Sequence, residues 1–438
     1  MRILLSFIIL FISGGFVSAQ KQLGLDEAIQ IALNRNTILL KSTNSLKSSE
    51  TNVKSAIGNF LPSLGANAGW QYNRNETDVA STTITSHSRN YTAGVGSSWT
   101  LFDGLSNFAS LSQSKNELEA ARYNVDRLKQ DIVFQTISLY YDVINTMQLL
   151  KFKEDDVKWN QKNLETITER NRLGSVTLAD VYAQQVRLGN AELEVIRTKN
   201  NLETSKSELL SFLGLDVLET YEFTDTLFAG EIDKVKRDLD LDYSNLSELV
   251  AKAFENRYDF KSAQLNLESA NDGITIARSG HLPTLTNTVN YGVGADNIKN
   301  MFDNRNLSIG LSLNIPIFSG FAVENRVQFA EVQAENKKIE LTELERDIKK
   351  SIQKTYLDLQ AAEKGLKVSE KNVLAAQENL KIESEKYSLG AGTLLNVLIA
   401  NSEFTNAQTN YINAQFAYIT LSEQLKYYLG VIEFKRFE

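Results

Sequence analysis

Cysteine is absent from this chain of 438 residues. That excludes disulfide frameworks, thiolate metal sites, cysteine nucleophiles and lipid attachment at an N-terminal cysteine. Histidine occurs twice, at His87 and His281, and neither has a ligand-spaced neighbour. A His-rich metal site or a Ser-His-Asp triad has almost nothing to stand on, and no cofactor is called for. A basic excess is also missing: 46 Lys and Arg against 54 Asp and Glu give a net charge of −8. A nucleic-acid partner needs a basic face, so none is expected. Glu154-Asp155-Asp156 reads as a solvated helix face rather than a metal site. Proline is scarce, with three residues where ordinary composition gives about 20. The chain should therefore contain few turns and some very long helices.

Residues 1–19 read as a secretory signal. Arg2 is the charged start, residues 3–12 are the apolar core, and Val17-Ser18-Ala19 is a small-residue cleavage site before Gln20. About ten apolar residues are too few to span roughly 30 Å of hydrocarbon as a helix. No later run approaches the length of a membrane helix. An exported chain without thiols fits a bacterial envelope, where stray cysteines would oxidise.

What is present is a repeat. Leu61-Pro62 returns as Leu282-Pro283, 221 positions later. Leu101-Phe102-Asp103-Gly104 returns as Ile317-Phe318-Ser319-Gly320 at an offset of 216. Arg172-Leu173-Gly174 with Thr177 and Val181 matches Ser388-Leu389-Gly390 with Thr393 and Val397 at the same 216. Phe212-Leu213-Gly214 matches Tyr428-Leu429-Gly430, again at 216, and Asn34-Arg35 matches Asn256-Arg257 at 222. The chain is a tandem duplication, with a first repeat over residues 20–245 and a second over 246–438. The drop from 221 to 216 predicts a longer loop between the paired strands of the first half.

Each half reads as short helices, two strands and two long helices. The coiled coils are expected at residues 105–213 and 320–430, and an irregular equatorial insert at 214–245. Apolar positions recur in sevens, as in Val143, Leu150, Val157 and Leu164, and on the returning helix in Val181, Leu188, Val195, Leu202 and Leu209. Such runs mean coiled coil. About 69 residues at 1.5 Å give a leg of roughly 100 Å, beyond any globular domain. The return legs cover only about half of that. Residues 246–279 are expected to complete the first return leg. The N-terminal helix, near residues 25–56, is expected to complete the second, so that the two chain ends stack.

Four segments alternate with period two: residues 63–73, 91–101, 284–294 and 306–316. One face of the first is Leu64, Ala66, Ala68, Trp70 and Tyr72, and the other is Ser, Gly, Asn and Gln. Each is about the length of a tilted membrane strand, with aromatic residues toward the ends. Trp70, Tyr72, Tyr91, Trp99 and Tyr291 are the candidate lipid-facing girdle. Four strands cannot close, and open edges in lipid leave backbone groups unpaired. Closure needs further copies, and the small polar inner faces favour the wider 12-stranded barrel of a trimer over an eight-stranded dimer.

In order and spacing these blocks resemble the TolC family of outer-membrane efflux proteins, over essentially the whole mature chain. The resemblance implies a mainly α fold with transmembrane β. Tandem-duplicated coiled-coil hairpins and four strands per chain would build a trimeric 12-stranded barrel on a periplasmic helical tunnel. It implies an exit duct in the bacterial outer membrane that passes small molecules or proteins outward. Its partners would be outer-membrane lipid, a periplasmic adaptor, and an inner-membrane pump driven by protons or by ATP. The two helix turns would form the periplasmic mouth that meets the adaptor. Their residues are Gly174, Ser175, Thr177 and Asp180 in the first, and Tyr387, Gly390, Gly392, Thr393 and Asn396 in the second. Gly174 and Gly390 suit helix ends, and Thr177 and Thr393 suit helix starts. Asp180 and Tyr387 are candidates for a polar link between adjacent coils. Asn396 and Ile399 stand where the family often carries acidic residues. The competing classes are a coiled-coil scaffold or adhesin that forms no pore and an exported enzyme.

Overall fold

The structure is a computed structural model and describes residues 21–79, 82–224 and 245–437. The signal at residues 1–19 and most of the insert at 214–245 lie outside the described residues. The elements in chain order begin with β1 (Lys21–Leu23), α1 (Leu25–Arg35), α2 (Thr37–Gly58), β2 (Ser63–Val79) and β3 (Thr82–Asp103). The first long hairpin is α3 (Ser106–Arg172) and α4 (Leu178–Leu213), followed by β4 (Tyr221–Phe223). The second half holds α5 (Leu246–Asn256), α6 (Tyr258–Arg278), β5 (Thr284–Ala295), β6 (Arg305–Asn314), α7 (Ala322–Ser388) and α8 (Leu394–Tyr428). No helix among the described residues is long and apolar enough to cross a membrane.

The two long helices have 67 residues each and sit 216 positions apart. Both begin in the same way. Gly104 and Leu105 take left-handed backbone at φ +67° and +73°, and Gly320 and Phe321 repeat it at +62° and +64°. This pair of residues turns the strand sharply into the helix. Only glycine fits at 104, because a Cβ there would lie 2.7 Å from the Leu282 Cβ. Asp103 then caps α3 by accepting the Asn107 N–H at 2.8 Å.

All four strands of the large sheet are antiparallel, in the order β2-β3-β5-β6. The β3–β5 pairing joins the two repeats, and β2 and β6 are left as open edges. The first hairpin is longer than the alternation alone predicts. Residues 73–90, expected as a loop, are paired from Asn73↔Ser88 up to Val79↔Thr82. The five-residue excess of the first half is therefore spent on strand. β-branched Thr77, Thr83, Ile84 and Thr85 favour extended backbone there, although the segment is polar. Leu101 falls in a bulge between Thr100 and Phe102, so Phe102, opposite Leu285, continues the apolar face.

The stacking of the short helices also differs from expectation. Gly214, at the end of α4, lies against Arg35 at the α1–α2 junction, where a Cβ would sit 3.5 Å from the Arg35 carbonyl oxygen. Gly430, beyond α8, lies against Asn256 and Arg257 at the α5–α6 junction. Arg257 Nη1 donates to the Tyr428 carbonyl at 3.0 Å. Thus α2 continues α4, and α6 continues α8. Each repeat completes its own return leg, and the chain ends do not stack end to end. The reason is local: the Asn-Arg block of each half docks on the Leu-Gly block of that same half.

The main core lies where these junctions meet the long helices. It includes Ile132, Val143, Leu209, Leu213, Leu249, Ile348, Ile352, Leu425 and Leu429. β1 and β4 pair in parallel beside it, Leu23 opposite Phe223. The Tyr140 hydroxyl lies 3.1 Å from the Leu23 carbonyl and 2.9 Å from that of Thr224. A second, small cluster of Ile167, Leu394 and Leu398 sits near the far end of the helices.

Candidate functional site

The register sets the chemistry of the sheet. Ala66↔Val95, Val95↔Tyr291 and Tyr291↔Leu307 run across all four strands on one face. On the other face Asn67↔Gly94, Gly96↔Asn290 and Asn290↔Ser308 keep one polar surface. A one-residue slip would exchange the faces. Leu64, Trp70, Tyr72, Val95, Trp99, Tyr291, Leu307, Ile309, Leu311 and Leu313 are all exposed. No soluble sheet leaves so continuous an apolar face open to water, and its natural solvent is lipid. Trp70 stands opposite Tyr91, and Tyr72 follows at the end away from the helices. Trp99 lies at the helical end, where its indole N–H donates to the Phe60 carbonyl at 2.9 Å. Tyr291 stands opposite Val95, partway between those two levels. Beyond the band, His87 belongs to β3 rather than to a loop, with Nδ1 2.7 Å from the Tyr72 hydroxyl. His281 ends a short 3-10 turn, Ser279–His281.

At the opposite end the two helical hairpins turn. In the first tip Gly174 takes φ +74°, and the Ser175 N–H closes back on the Arg170 carbonyl at 2.8 Å. Thr177 caps α4 in a capping box, its hydroxyl accepting the Asp180 N–H at 3.3 Å. The Asp180 carboxylate in turn accepts the Thr177 N–H at 3.0 Å and hydroxyl at 2.7 Å. In the second tip Gly390 takes φ +76°, and the Thr393 hydroxyl accepts the Asn396 N–H at 3.3 Å. Gly392 packs against Lys386 and Tyr387.

Within the chain Asp180 and Tyr387 do not hydrogen-bond to each other. The Asp180 carboxylate is held by its own cap. Tyr387 instead meets Arg170, whose guanidinium lies 5.2 Å from the ring centroid and points Nη1 toward the Tyr387 carbonyl. The Tyr387 hydroxyl is buried without a partner among the described residues. Burial pushes that phenol above its usual pKa, the Arg170 charge opposes the rise, and the nearby Asp180 charge adds to it. Arg170 escapes the sequence argument because it lies outside the repeated block, with Lys386 as its counterpart.

A polar layer separates the tip cluster from the main core. Gln184, fully buried, donates to the Asn160 carbonyl at 2.9 Å and accepts from Asn163 at 3.1 Å. The Asp156 carboxylate accepts from Asn401 at 3.3 Å and from Thr405 at 3.4 Å. Asp156, expected on a solvated face, therefore works in the seam between α3 and α8. Arg187 Nη2 donates to the Leu398 carbonyl at 2.9 Å beside a polar cavity of about 190 Å³.

An apolar belt around a polar-faced sheet, set on helical hairpins of roughly 100 Å, is the architecture of an outer-membrane duct. The family of outer membrane efflux proteins matches at residues 28–215 and 249–431, and the chain belongs to it. "Outer membrane protein TolC" of Salmonella enteritidis is 23% identical over 99% of this chain and 87% of that protein. "Protein CyaE" of Bordetella pertussis is 23% identical over 89% of this chain and 80% of its own length. Among solved structures, the outer membrane protein VceC of Vibrio cholerae superposes with a TM-score of 0.79 at 20% identity. It covers 93% of this chain and 96% of that one. CusC superposes at 0.82 with 15% identity, over 93% and 92%. The protein is an outer-membrane exit duct for efflux or secretion, its barrel in the membrane and its helices in the periplasm. The family is one of channels rather than enzymes, and its members are trimers that work with adaptors and inner-membrane pumps.

Proposed function

We propose that three copies close a 12-stranded barrel and a continuous helical tunnel serving a tripartite efflux or type I secretion system. The observation that carries this is the sheet: an exposed apolar face, a polar inner face and two open edges, β2 and β6. Lipid tolerates no open edge, so β6 of one copy must pair with β2 of the next.

The tips then form the periplasmic mouth and the adaptor contact, through Gly174, Ser175, Thr177, Gly390, Gly392 and Thr393. The glycines and the threonine caps make both turns compact, and Leu173, Leu178, Leu389 and Leu395 stand exposed around them, so the surface offered to an adaptor is largely apolar. Asp180, Arg170 and Tyr387 lie beside each other at this mouth and are the residues proposed to hold it closed. Asn396 is neutral, so no anionic ring is expected there. The pump can be proton-driven or ATP-driven, and the cargo is set by that pump. Single-channel recording in planar bilayers tests the proposal: trimers of the purified protein should give discrete conductance steps. Assembled trimers that never conduct would favour the pore-free scaffold.

A further inference from the structure

Glycine weakens the interior of a strand, so its placement there calls for a reason. The four strands of the large sheet hold seven glycines: Gly65, Gly69, Gly94, Gly96, Gly292, Gly294 and Gly310. All seven fall on the inner, polar face, and the outer face has none. A general loosening of the strands would spread them over both faces. None takes a left-handed backbone, so no turn demands them. What each provides is room on the lumen side.

At four of them that room is taken by the residue directly opposite. A Cβ built on Gly96 would lie 2.5 Å from the Asn290 Oδ1, and one on Gly94 would lie 3.3 Å from the Asn67 Oδ1. On Gly69 and Gly310 it would lie 3.1 Å from the hydroxyls of Thr92 and Thr288. Each is a ladder pair: Gly96↔Asn290, Asn67↔Gly94, Gly69↔Thr92 and Thr288↔Gly310. The amides and hydroxyls therefore lean across onto the neighbouring strand instead of standing up from the sheet. The duplication repeats the device: Asn67 on Gly94 returns as Thr288 on Gly310, at the offsets of 221 and 216 that the flanking blocks show. At Gly65, opposite Gly96, a Cβ would meet nothing within 4 Å. Of the paired inner positions only Asp103 carries a charge, and it caps α3. With a neutral wall, passage through this section is decided by width.

We propose that these glycines set the bore of the barrel section, because the amides and hydroxyls opposite them lie flat against the wall, and that Gly96 under Asn290 is the tightest of these seats. This rests on the closed barrel above and adds what keeps it wide. A side chain at residue 96 lifts Asn290 into the lumen, and three copies do so at one level. Bulky cargo is then held back while small solutes still pass.

The absence of cysteine lets a single reporter read this bore from outside. Ser312 is exposed on the inner face, about 13 Å nearer the helices than Ser308, the partner of Asn290. In intact cells Ser312→Cys is labelled with a small impermeant maleimide and with maleimides carrying polyethylene glycol of increasing mass, trimers being verified by native mass spectrometry. Gly96→Val should slow the largest reagent that reaches the reporter by at least about tenfold and leave the small one unchanged. Gly65→Val, which adds the same bulk at the same level but displaces no neighbour, should slow it far less. Adding Asn290→Gly to Gly96→Val should restore the reporter's rate. Gly310→Val, which presses on Thr288, should show a weaker slowing and replaces Gly96→Val if that variant does not assemble. Trimers in which the Gly96 or Gly310 variant labels at the reporter's own rate, in which Gly65→Val slows labelling as much, or in which Asn290→Gly restores nothing, overturn the proposal while leaving the duct standing. A reporter chain that stays monomeric would overturn the closed barrel as well.

Discussion

The two ends of the helical hairpins are held by different means. At the root of the hairpins, where α4 and α8 end at their junctions with α2 and α6, α3 is clasped by buried charge and aromatic rings. The Arg127 guanidinium lies 4.0 Å from the Tyr427 ring centroid, Phe134 stacks on Tyr427 at 4.8 Å, and Arg257 forms an ion pair with Asp259. At the tip a small cluster around Ile167, Leu394 and Leu398, two threonine caps and a loose Arg170–Tyr387 contact hold the turns. The polar layer at Asn160 and Gln184 lies between them. A hairpin anchored so unequally should bend at its far end and stay fixed at its root.

The largest effect should come from the root. Arg257→Ala leaves Asp259 and the Tyr428 carbonyl without their buried partner. It should cost about 3–5 kcal/mol, read as a drop in the thermal midpoint by circular dichroism. A change below about 1 kcal/mol would erase the contrast between the ends. Acidity tests the same clasp. Burial alone would raise the Asp259 carboxyl, but its hydrogen bond to Arg257 and the charges of Arg257 and Arg127 hold it below the usual range. A depressed acid contributes stability above the unfolded value of about 3.9 and loses it as pH falls. Acid should therefore loosen the root below about pH 4, and Asp259→Asn should flatten that limb of the stability curve. Tyr427 gives the opposite sign. Burial pushes its phenol up to about 12, so its contribution holds below about pH 10 and fades as pH climbs toward 12.

Next in size is the tip core. Ile167→Ala should cost about 2–4 kcal/mol, and the loss should stay local. Trypsin should cut faster at Arg170 and Arg172 while the global midpoint barely moves. A cooperative fall of the whole melt would mean that the polar layer does not isolate the tip. Thr177→Ala removes the cap and should cost about 1 kcal/mol, seen as faster amide exchange in the first turn of α4. The smallest effect belongs to Tyr387→Phe. Among the described residues its hydroxyl has no partner, so removal should change stability of the isolated tip by less than about 0.5 kcal/mol. A rise in trimer conductance would reveal a partner for that hydroxyl in the next copy.

How much of this is legible in the sequence depends on range. The long helices, the threonine caps and the apolar strand faces follow from periodicity and small turn residues close in sequence. The polar half of the first hairpin does not, because Asn, Ser and Thr look alike in a loop and in a solvated strand. Only the pairing partner decides. The stacking of α2 on α4 was equally hidden, since either short helix could fill either leg. The repeated Asn-Arg and Leu-Gly blocks carried the answer, but as a contact between distant blocks. Arg170 and Asp156 are ordinary charged helix residues until a third helix is placed beside them.

The long first hairpin has a consequence outside the membrane. Above Tyr91, β3 has no β5 to pair with, so about nine residues on each side rise as a two-stranded post, roughly 30 Å long. Three such posts would crown an assembled duct. A bare two-stranded ribbon is an invitation to foreign strands, and proteins blunt such edges with charge. Arg74, Glu76 and Asp78 alternate along β2 on the outward side, facing His87, Thr85 and Thr83. Arg74 and Glu76 are ion-paired, and Thr83 donates to Asp78 at 2.6 Å. Charges that look like loop residues in the sequence thus sit where they would discourage the pairing of one such ribbon with another.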